Sequence, residues 1–142
     1  MSGFLLDTNF VSELVRVRPE PRVVEWMRAA QENLLHLSVL TLGEIRKGAT
    51  ILPASRKRDQ LERWLVIDLP GQFGNRVLPI NAEIAEIWGT MAGQAQLRGI
   101  TLAIIDGLVA ATAKHHGLSV VTRNVKDFSV WGIPAVNPWE TT

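Results

Sequence analysis

Four acidic side chains carry the chemistry that this sequence offers. Asp7 directly follows a short apolar run, and Asp127 lies five residues after a β-branched run that ends at Thr122. Glu44 lies one turn into a helical pattern, and Asp106 lies near the start of another. Because ligands of open α/β sheets bind beyond the carboxyl ends of the strands, we expect these four carboxylates to converge at one edge of a sheet.

A cluster of four carboxylates needs a counter-charge. Two like charges about 5 Å apart repel by roughly 3 kcal/mol at an effective dielectric constant near 20. The sequence has no cysteine and three histidines, so carboxylate oxygen is the main ligand on offer, and oxygen ligands favour hard cations such as Mg²⁺ or Mn²⁺. Such an ion activates water for in-line attack at phosphorus and stabilises the leaving oxygen. The acids therefore predict metal-dependent chemistry on a phosphate group.

Each acid also has a structural interpretation. Asp7 could cap the helix that follows it, as could Asn9. Glu44 completes the run 41–44, which matches a capping box, and Asp127 could begin a turn. Asp106 is the exception, because it lies in an apolar helical run with no cation three or four residues away on either side. A carboxylate in such a run is costly to bury unless it is paired or bound to a metal, which favours a functional role.

The pattern of apolar residues predicts the elements that must position these acids. Strands are expected at 3–6, 34–40, 76–80, 118–122 and 134–137, and helices at 10–17, 21–31, 41–52, 55–66, 81–98 and 102–116. The helix at 81–98 has the clearest signals, with Asn81 as its N-cap and Gly99 after its end. Alternation of strands and helices predicts an α/β fold, a three-layer α/β/α sandwich with a central, mostly parallel sheet. The length suits one domain over 1–142.

Composition excludes several classes of protein. With 46% hydrophobic and 20% charged residues, the chain is neither disordered nor fibrous. The absence of cysteine excludes a disulfide framework, a thiolate zinc site and a cysteine nucleophile. No secretory signal is visible, and the most apolar run, 101–113, is short and contains Asp106. We therefore expect a cytoplasmic protein with no membrane partner.

The small net charge of +1 conceals one basic segment. Six cations and two acids lie between Arg46 and Arg63, a local charge of +4 against −3 for the rest of the chain. Such a segment could steer a polyanion towards one face, although a solvated helix face would look the same. The candidate contact residues within it are Arg46, Lys47, Arg56, Lys57 and Arg58.

These residues occur in segments that resemble those of a known family. The segments are Leu5-Leu6-Asp7-Thr8-Asn9, the run 41–48 around Glu44, the run 106–113 that begins with Asp106, the run 121–128 that includes Thr122 and Asp127, and Asn137-Pro138-Trp139. Their order and spacing are similar to those of the PIN-domain ribonucleases, in particular the VapC and FitB toxins of prokaryotic toxin–antitoxin pairs. The resemblance covers essentially the whole chain. It implies a PIN fold and a metal-dependent endoribonuclease.

The resemblance also implies a role for each site residue. Asp7, Glu44 and Asp106 match the core acidic triad, and Asp127 matches the fourth acid. Asp7 and Asp106 would be the main ligands of Mg²⁺ or Mn²⁺, and Glu44 would bind directly or through water. Asp127 would help to hold a second ion or orient the attacking water. Thr122 and Asn124 resemble the polar positions beside the site, although ordinary turn chemistry would also explain them.

The partners that the resemblance implies are RNA as substrate and a cognate antitoxin that blocks the site. It further implies a homodimer, within a larger complex that binds promoter DNA through the antitoxin. The cations of the basic segment could contact either RNA or the antitoxin.

Two other functions compete with this interpretation. The chain could act mainly as a co-repressor module of a DNA-binding complex, without nuclease activity of its own. It could also be a phosphatase of the Asp-x-Asp type, but position 9 is asparagine where that chemistry needs a second acid.

Overall fold

The computed structural model describes residues 3–140 and contains a central sheet of five parallel strands. The strands are β1 (Phe4–Leu6), β2 (Leu35–Ser38), β3 (Val77–Leu78), β4 (Ser119–Val121) and β5 (Ala135–Val136). Their order across the sheet is β3-β2-β1-β4-β5, and every pair in it is parallel. The first strand in sequence is therefore the central strand of the sheet.

Helices cover both faces of this sheet. They are α1 (Thr8–Leu14), α2 (Pro21–Ala29), α3 (Val39–Ile51), α4 (Arg56–Arg63), α5 (Leu69–Phe73), α6 (Ala82–Leu97), α7 (Ile104–His116) and α8 (Lys126–Ser129). Short 3₁₀ turns occupy Glu32–Leu34 and Gly74–Arg76, and a π-helical turn, Trp64–Asp68, joins α4 to α5. No helix within residues 3–140 is long and apolar enough to cross a bilayer.

The central strand is buried on both faces, which explains why its sequence is continuously apolar. Successive side chains of a strand point to opposite faces. Leu6 packs with Phe10 and Val23 in the core beneath α1 and α2. Leu5 packs with Ile84 and Val109 in the core beneath α6 and α7. Two cores separated by one sheet confirm the three-layer α/β/α prediction, and the sheet is parallel throughout.

The helix α6 forms as its sequence predicts. The Oδ1 atom of Asn81 accepts a hydrogen bond of 2.9 Å from the amide of Ile84 and caps the first turn. Gly99 follows the helix with φ of +69°, and the amide of Ile100 donates to the carbonyl of Ala95 at 2.8 Å, which closes the last turn. Helix α7 ends in the same way at Gly117, whose φ is +65°.

Several predicted boundaries are wrong, including that of the first helix, which covers Thr8–Leu14 and not 10–17, and three others concern the helices that carry Glu44, Asp106 and the basic segment. The second strand ends at Ser38, because its hydroxyl accepts a hydrogen bond from the amide of Leu40 and starts α3 two residues earlier than expected. The helix expected at 55–66 continues through the π-helical turn into α5, with Pro70 in the first turn of α5, a position that needs no amide donor. Helix α7 begins at Ile104, which is 65% exposed, so the apolar run is not uniformly buried.

Candidate active site

Asp7 lies at the centre of the sheet edge, between β1 and α1. Its amide donates to the carbonyl of Val121 at 2.9 Å and so continues the pairing of β1 with β4. Its Oδ1 atom accepts a hydrogen bond of 2.9 Å from the amide of Thr8, so the expected capping of α1 is real. Its Oδ2 atom accepts one of 2.8 Å from the hydroxyl of Thr122. The residue is only 8% exposed, so this carboxylate has a fixed orientation.

Thr122 connects Asp7 to the segment that follows β4. Its side chain is fully buried, and its Oγ1 atom accepts hydrogen bonds from the Asn9 side-chain amide at 3.3 Å and from the main-chain amide of Asn124 at 3.0 Å. The single hydroxyl proton is thus directed at Asp7, since both neighbouring groups are donors. Thr122 thus contacts Asp7 through its side chain, and Asn124 contacts Thr122 through its main-chain amide.

Glu44 lies in the second turn of α3 and faces α1. Its Oε1 atom accepts a hydrogen bond of 2.5 Å from the hydroxyl of Thr8, which also lies 3.0 Å from the hydroxyl of Thr41. The capping-box interpretation of residues 41–44 is wrong, because Ser38 caps α3 and Thr41 is already inside the helix. Glu44 therefore does not cap α3. The hydrogen bond from the Thr8 hydroxyl instead connects the Glu44 carboxylate to the start of α1.

Asp106 and Asp127 approach from the other half of the chain. Asp106 is half-buried in the first turn of α7, where a negative charge is stabilised by the helix dipole. Asp127 is exposed and lies within α8, so it does not begin a turn as its structural interpretation required. Within residues 3–140 neither carboxylate is part of a salt bridge.

The electrostatics of these acids show which of them are neighbours. Burial raises the pKa of Asp7 to about 6, against the hydrogen bonds from Thr122 and Thr8, and the charges of Asp106 and Glu44 raise it further. Burial also raises the pKa of Asp106, as do the nearby charges of Asp127 and Glu44. Each of the four carboxylates therefore interacts with at least one other, and Asp106 interacts with all three.

The four carboxylates are the kind of oxygen ligand that a hard cation prefers, although they are not close enough together to coordinate one ion. In the described part of the chain, no three histidine, cysteine, aspartate or glutamate side chains are arranged closely enough to hold a metal ion. The charge effects on Asp106 come from other acids, and no cation is among the causes of its raised pKa. Such a group of mutually repelling oxygen ligands fits Mg²⁺ or Mn²⁺ by its chemistry.

Comparison with known proteins identifies the family. The family model described as "PIN domain" matches residues 4–131. The chain belongs to the PIN-domain family. VapC ribonuclease Y4jK of Sinorhizobium fredii is 34% identical to this PIN-domain chain over 136 residues, covering 96% of the chain and 97% of the relative. Toxin FitB of Neisseria gonorrhoeae is 36% identical over 135 residues, with coverage of 95% and 97%.

A solved structure extends the likeness of this PIN-domain chain to three dimensions. The structure of FitAB bound to an IR36 DNA fragment matches it with a TM-score of 0.90 at 33% identity, over 98% of this chain and 97% of the matched chain. At this level of similarity the fold and the course of the backbone are shared almost throughout.

The basic segment of the PIN-domain chain divides into two groups of cations. Arg58 donates to Glu62 through Nε at 2.9 Å and to the carbonyl of Leu52 at 3.3 Å, and Arg46 lies 3.8 Å from the same glutamate. These two arginines hold α3 against α4. Arg56 and Lys57 instead line a groove of about 890 Å³ that also contains Leu61 and Trp64 from α4 and its continuation. Lys47 is exposed on α3.

Three polar residues of the site were missed by sequence reasoning. Thr8 bridges Glu44 and Thr41 through its hydroxyl. Asn9 does not cap a helix, because its side chain binds Thr122 and its Oδ1 atom accepts from the amide of Arg123 at 3.3 Å. The run Asp7-Thr8-Asn9 at the end of a buried strand was a usable signal for two of them. Thr41 gave none, since its partner lies 33 residues away.

Proposed function

We propose that this chain is a metal-dependent endoribonuclease that hydrolyses phosphodiester bonds in RNA, and that it is the toxin of a toxin–antitoxin pair. The proposal treats residues 1–142 as one PIN domain. The observation that carries it is that Thr8 joins Asp7 and Glu44 at the carboxyl end of β1, where the charge of Asp106 raises the pKa of Asp7 and the charge of Asp127 raises that of Asp106. The names of its relatives, a VapC ribonuclease and a FitB toxin, support the same activity.

Asp7 and Asp106 would be the principal ligands of Mg²⁺ or Mn²⁺, with Glu44 and Asp127 completing the site. When bound, the ion would neutralise the carboxylates, activate water and stabilise charge on phosphate oxygens. Asp7 is oriented by Thr122 and Thr8, which reduces the reorganisation needed on binding. Glu44 is held by the Thr8 hydroxyl, and its other oxygen is left for a ligand.

An antitoxin partner is supported by the similarity to FitAB and by the groove beside α4. That groove combines cations, Arg56 and Lys57 among them, with apolar side chains that include Leu61 and Trp64. Such a surface suits an amphipathic segment with acidic residues, because apolar contacts supply affinity and opposite charges steer association. We assign Arg56 and Lys57 to the antitoxin, which would inhibit cleavage.

A homodimer is supported by an exposed apolar surface at the turn between α6 and α7. Leu97 is 89% exposed and Ile104 is 65% exposed, and Ile100 and Ile105 lie beside them in the sequence. Neighbouring exposed aliphatic side chains mark a surface that a second molecule can cover.

The test is cleavage of total RNA by the purified chain, followed by mapping of the fragment ends. We expect cleavage with Mg²⁺ or Mn²⁺, none with a chelator, and a loss of at least about 100-fold in Asp106→Asn, as is typical when an electrostatic catalytic group is removed. Asp59→Asn is the matched control, because Asp59 is an exposed acid on α4 and the substitution is the same. A folded Asp106→Asn variant with full activity would refute the proposed site.

A co-repressor role is the second candidate, because FitAB in the matched structure is bound to DNA. It predicts that the chain in complex with its partner binds promoter DNA, while the free chain cuts no RNA at any metal concentration. RNA cleavage by the free chain, lost in Asp106→Asn, would reject it as the main function.

A further inference from the structure

Arg123 emerges from the backbone at the edge of the acidic site. It directly follows Thr122, the residue that orients Asp7. Its amide donates to Oδ1 of Asn9 at 3.3 Å, and its carbonyl accepts a hydrogen bond from the side chain of Asn137 at 3.5 Å. Hydrogen bonds on both sides of its Cα atom fix the point from which this cationic side chain projects.

The guanidinium group of Arg123 lies over an aromatic ring. Its Cζ atom is 5.2 Å from the centroid of the Trp139 indole ring, within the range of a cation–π contact. Trp139 is 7% exposed and makes an edge contact with Phe10 at 6.2 Å, so the ring is a rigid support. Stacking engages the face of the guanidinium and leaves its N–H groups at the edge available to an anion.

Arg123 does not serve the acids as a counter-ion. Carboxylates are the charges that raise the pKa of Asp106, and Arg123 is not among the causes of the raised pKa of Asp7. Within residues 3–140 it forms no salt bridge with any acid, and its side chain is exposed. The backbone of Arg123 thus lies beside the site, and its charge, which lies over Trp139, is not paired with an acid of the described residues.

A second such cation, Arg18, lies in the same groove and also lines the groove beside α4. The groove shared with Arg123 has a volume of about 390 Å³ and is lined by Arg18 and Arg123 together with Arg16, Glu13, Glu20 and Trp139. Its two acids are already engaged, since Glu13 pairs with Arg16 at 3.3 Å and Glu20 pairs with Arg22 at 2.8 Å. Arg18 is exposed and forms no salt bridge within the described residues. The groove therefore carries an excess of positive charge.

We propose that Arg123 and Arg18 bind phosphates of the RNA strand that flank the bond placed at the acidic site. This inference rests on the proposed ribonuclease function. A site of four carboxylates repels a polyanion, so a strand that reaches it needs cations close by that are not consumed by the acids. A guanidinium fork matches phosphate oxygens in a bidentate manner. An acidic peptide is the competing ligand for the same two cations.

The experiment measures binding of a short, fluorescently labelled single-stranded RNA by anisotropy across a range of salt concentrations. The parent is the Asp106→Asn chain with Mg²⁺, in which the strand is expected to stay intact. Each phosphate contact to a single strand contributes about −0.7 to the slope of log K against log salt. We expect Arg123→Gln and Arg18→Gln each to reduce the steepness by about 0.7 and to weaken binding about tenfold at low salt.

Two further variants separate position from charge. Arg28→Gln removes one exposed cation of α2 that is paired with Glu25, and we expect affinity and slope to stay those of the parent. Arg123→Lys keeps the charge and loses the stacked fork, so we expect the slope of the parent with reduced affinity. All variants must retain the thermal stability of the parent.

The outcomes distinguish this inference from the function on which it rests. If the wild-type chain cuts no RNA and the parent binds none, both fail. If the wild-type chain cuts RNA but Arg123→Gln binds it with the parent slope, only the inference is overturned. It is also overturned, with the proposed function intact, if the two substitutions weaken binding of an acidic peptide and leave RNA binding unchanged.

Discussion

The hydroxyl of Thr122 and the Oδ2 atom of Asp7 are 2.8 Å apart, and their hydrogen bond spans 115 residues of sequence. Thr122 is fully buried and accepts two other hydrogen bonds, from Asn9 and from the amide of Asn124. The direction of its proton is therefore fixed towards the carboxylate. An uncharged residue thus determines the orientation of the most buried acid of the site.

Replacing Thr122 with valine is expected to impair both stability and activity. Valine keeps the shape but removes the hydroxyl, so it leaves one acceptor and two donors without their partner. We expect a loss of about 1–3 kcal/mol in the free energy of unfolding and of about 10- to 100-fold in RNA cleavage. Thr122→Ser retains the hydroxyl and should restore most of the activity. Greater impairment in Thr122→Ser than in Thr122→Val would show that packing of the methyl group matters more than the hydrogen bond.

Asp7→Asn is expected to stabilise the metal-free chain at high pH. The pKa of Asp7 is about 6 in the folded chain against 3.8 for an ordinary aspartate, so folding favours the protonated form. The wild type therefore loses about 3 kcal/mol of stability as the pH rises from below 4 to above 6. The stability of Asp7→Asn does not fall with pH in this way. The variant does lose one of the two hydrogen bonds that Asp7 accepts, which lowers its free energy of unfolding by about 1 kcal/mol.

The measurement for Asp7→Asn is chemical unfolding with a chelator at pH 5 and pH 8. We expect Asp7→Asn to exceed the wild type by about 2 kcal/mol at pH 8 and by only about 0.6 kcal/mol at pH 5, where the carboxyl of the folded wild type is still mostly protonated. Asp59→Asn should follow the wild type at both values, because Asp59 is exposed. A stability difference between Asp7→Asn and the wild type that is the same at both pH values would contradict the raised pKa.

Addition of Mn²⁺ is expected to stabilise the folded chain, because the acids proposed to bind the ion lie at one edge of the sheet only in the folded state. At an ion concentration 100 times the dissociation constant, the gain is about 2.7 kcal/mol, or roughly 5–10 °C in the melting temperature. The shift should persist in Asp59→Asn and be largely lost in Asp106→Asn. An equal shift in all three chains would indicate that the ion binds elsewhere.

Gly107→Ala is expected to destabilise the contact between α6 and α7 beside Asp106. A Cβ atom at Gly107 would lie 2.9 Å from Cδ1 of Trp88 and 3.1 Å from Cδ2 of Leu102. Overpacking of this kind costs about 1–3 kcal/mol, partly offset by the helix propensity of alanine. Gly93→Ala is the matched control, because a Cβ atom at Gly93 in α6 meets nothing within 4 Å. Thermal unfolding should show Gly107→Ala less stable and Gly93→Ala slightly more stable than the wild type.

Much of the fold could be predicted from the sequence because its signals are local. The β1 strand is continuously apolar and is buried on both faces, and α6 has its N-cap at Asn81 and its terminating glycine at Gly99. The boundary of α3 could not be predicted, because Ser38, which caps it, has apolar residues on both sides. The run of apolar residues therefore does not show where the strand ends and the helix begins. Parallel order across the sheet followed from the alternation of strands and helices.

The candidate site was predictable in its charged residues but not in its polar contacts. Asp106 was distinctive because no cation lies near it in sequence. The contacts of Thr41 and Arg123 join segments that are far apart in the sequence and that the sheet brings together, so no local pattern encodes them. The pairing of Arg46 and Arg58 with Glu62 is likewise invisible in a count of charges, although it divides the basic segment in two.

The central position of β1 has a consequence for protein synthesis. Its partner β4 is made 115 residues later, at roughly 5–20 residues per second. For about ten seconds the emerging polypeptide therefore holds Asp7 and Glu44 but lacks the strand and the acids that complete the cluster. A chain whose proposed cleavage of RNA needs all four carboxylates would stay inert on the ribosome until Asp127 has been made, which would spare the messenger that encodes it.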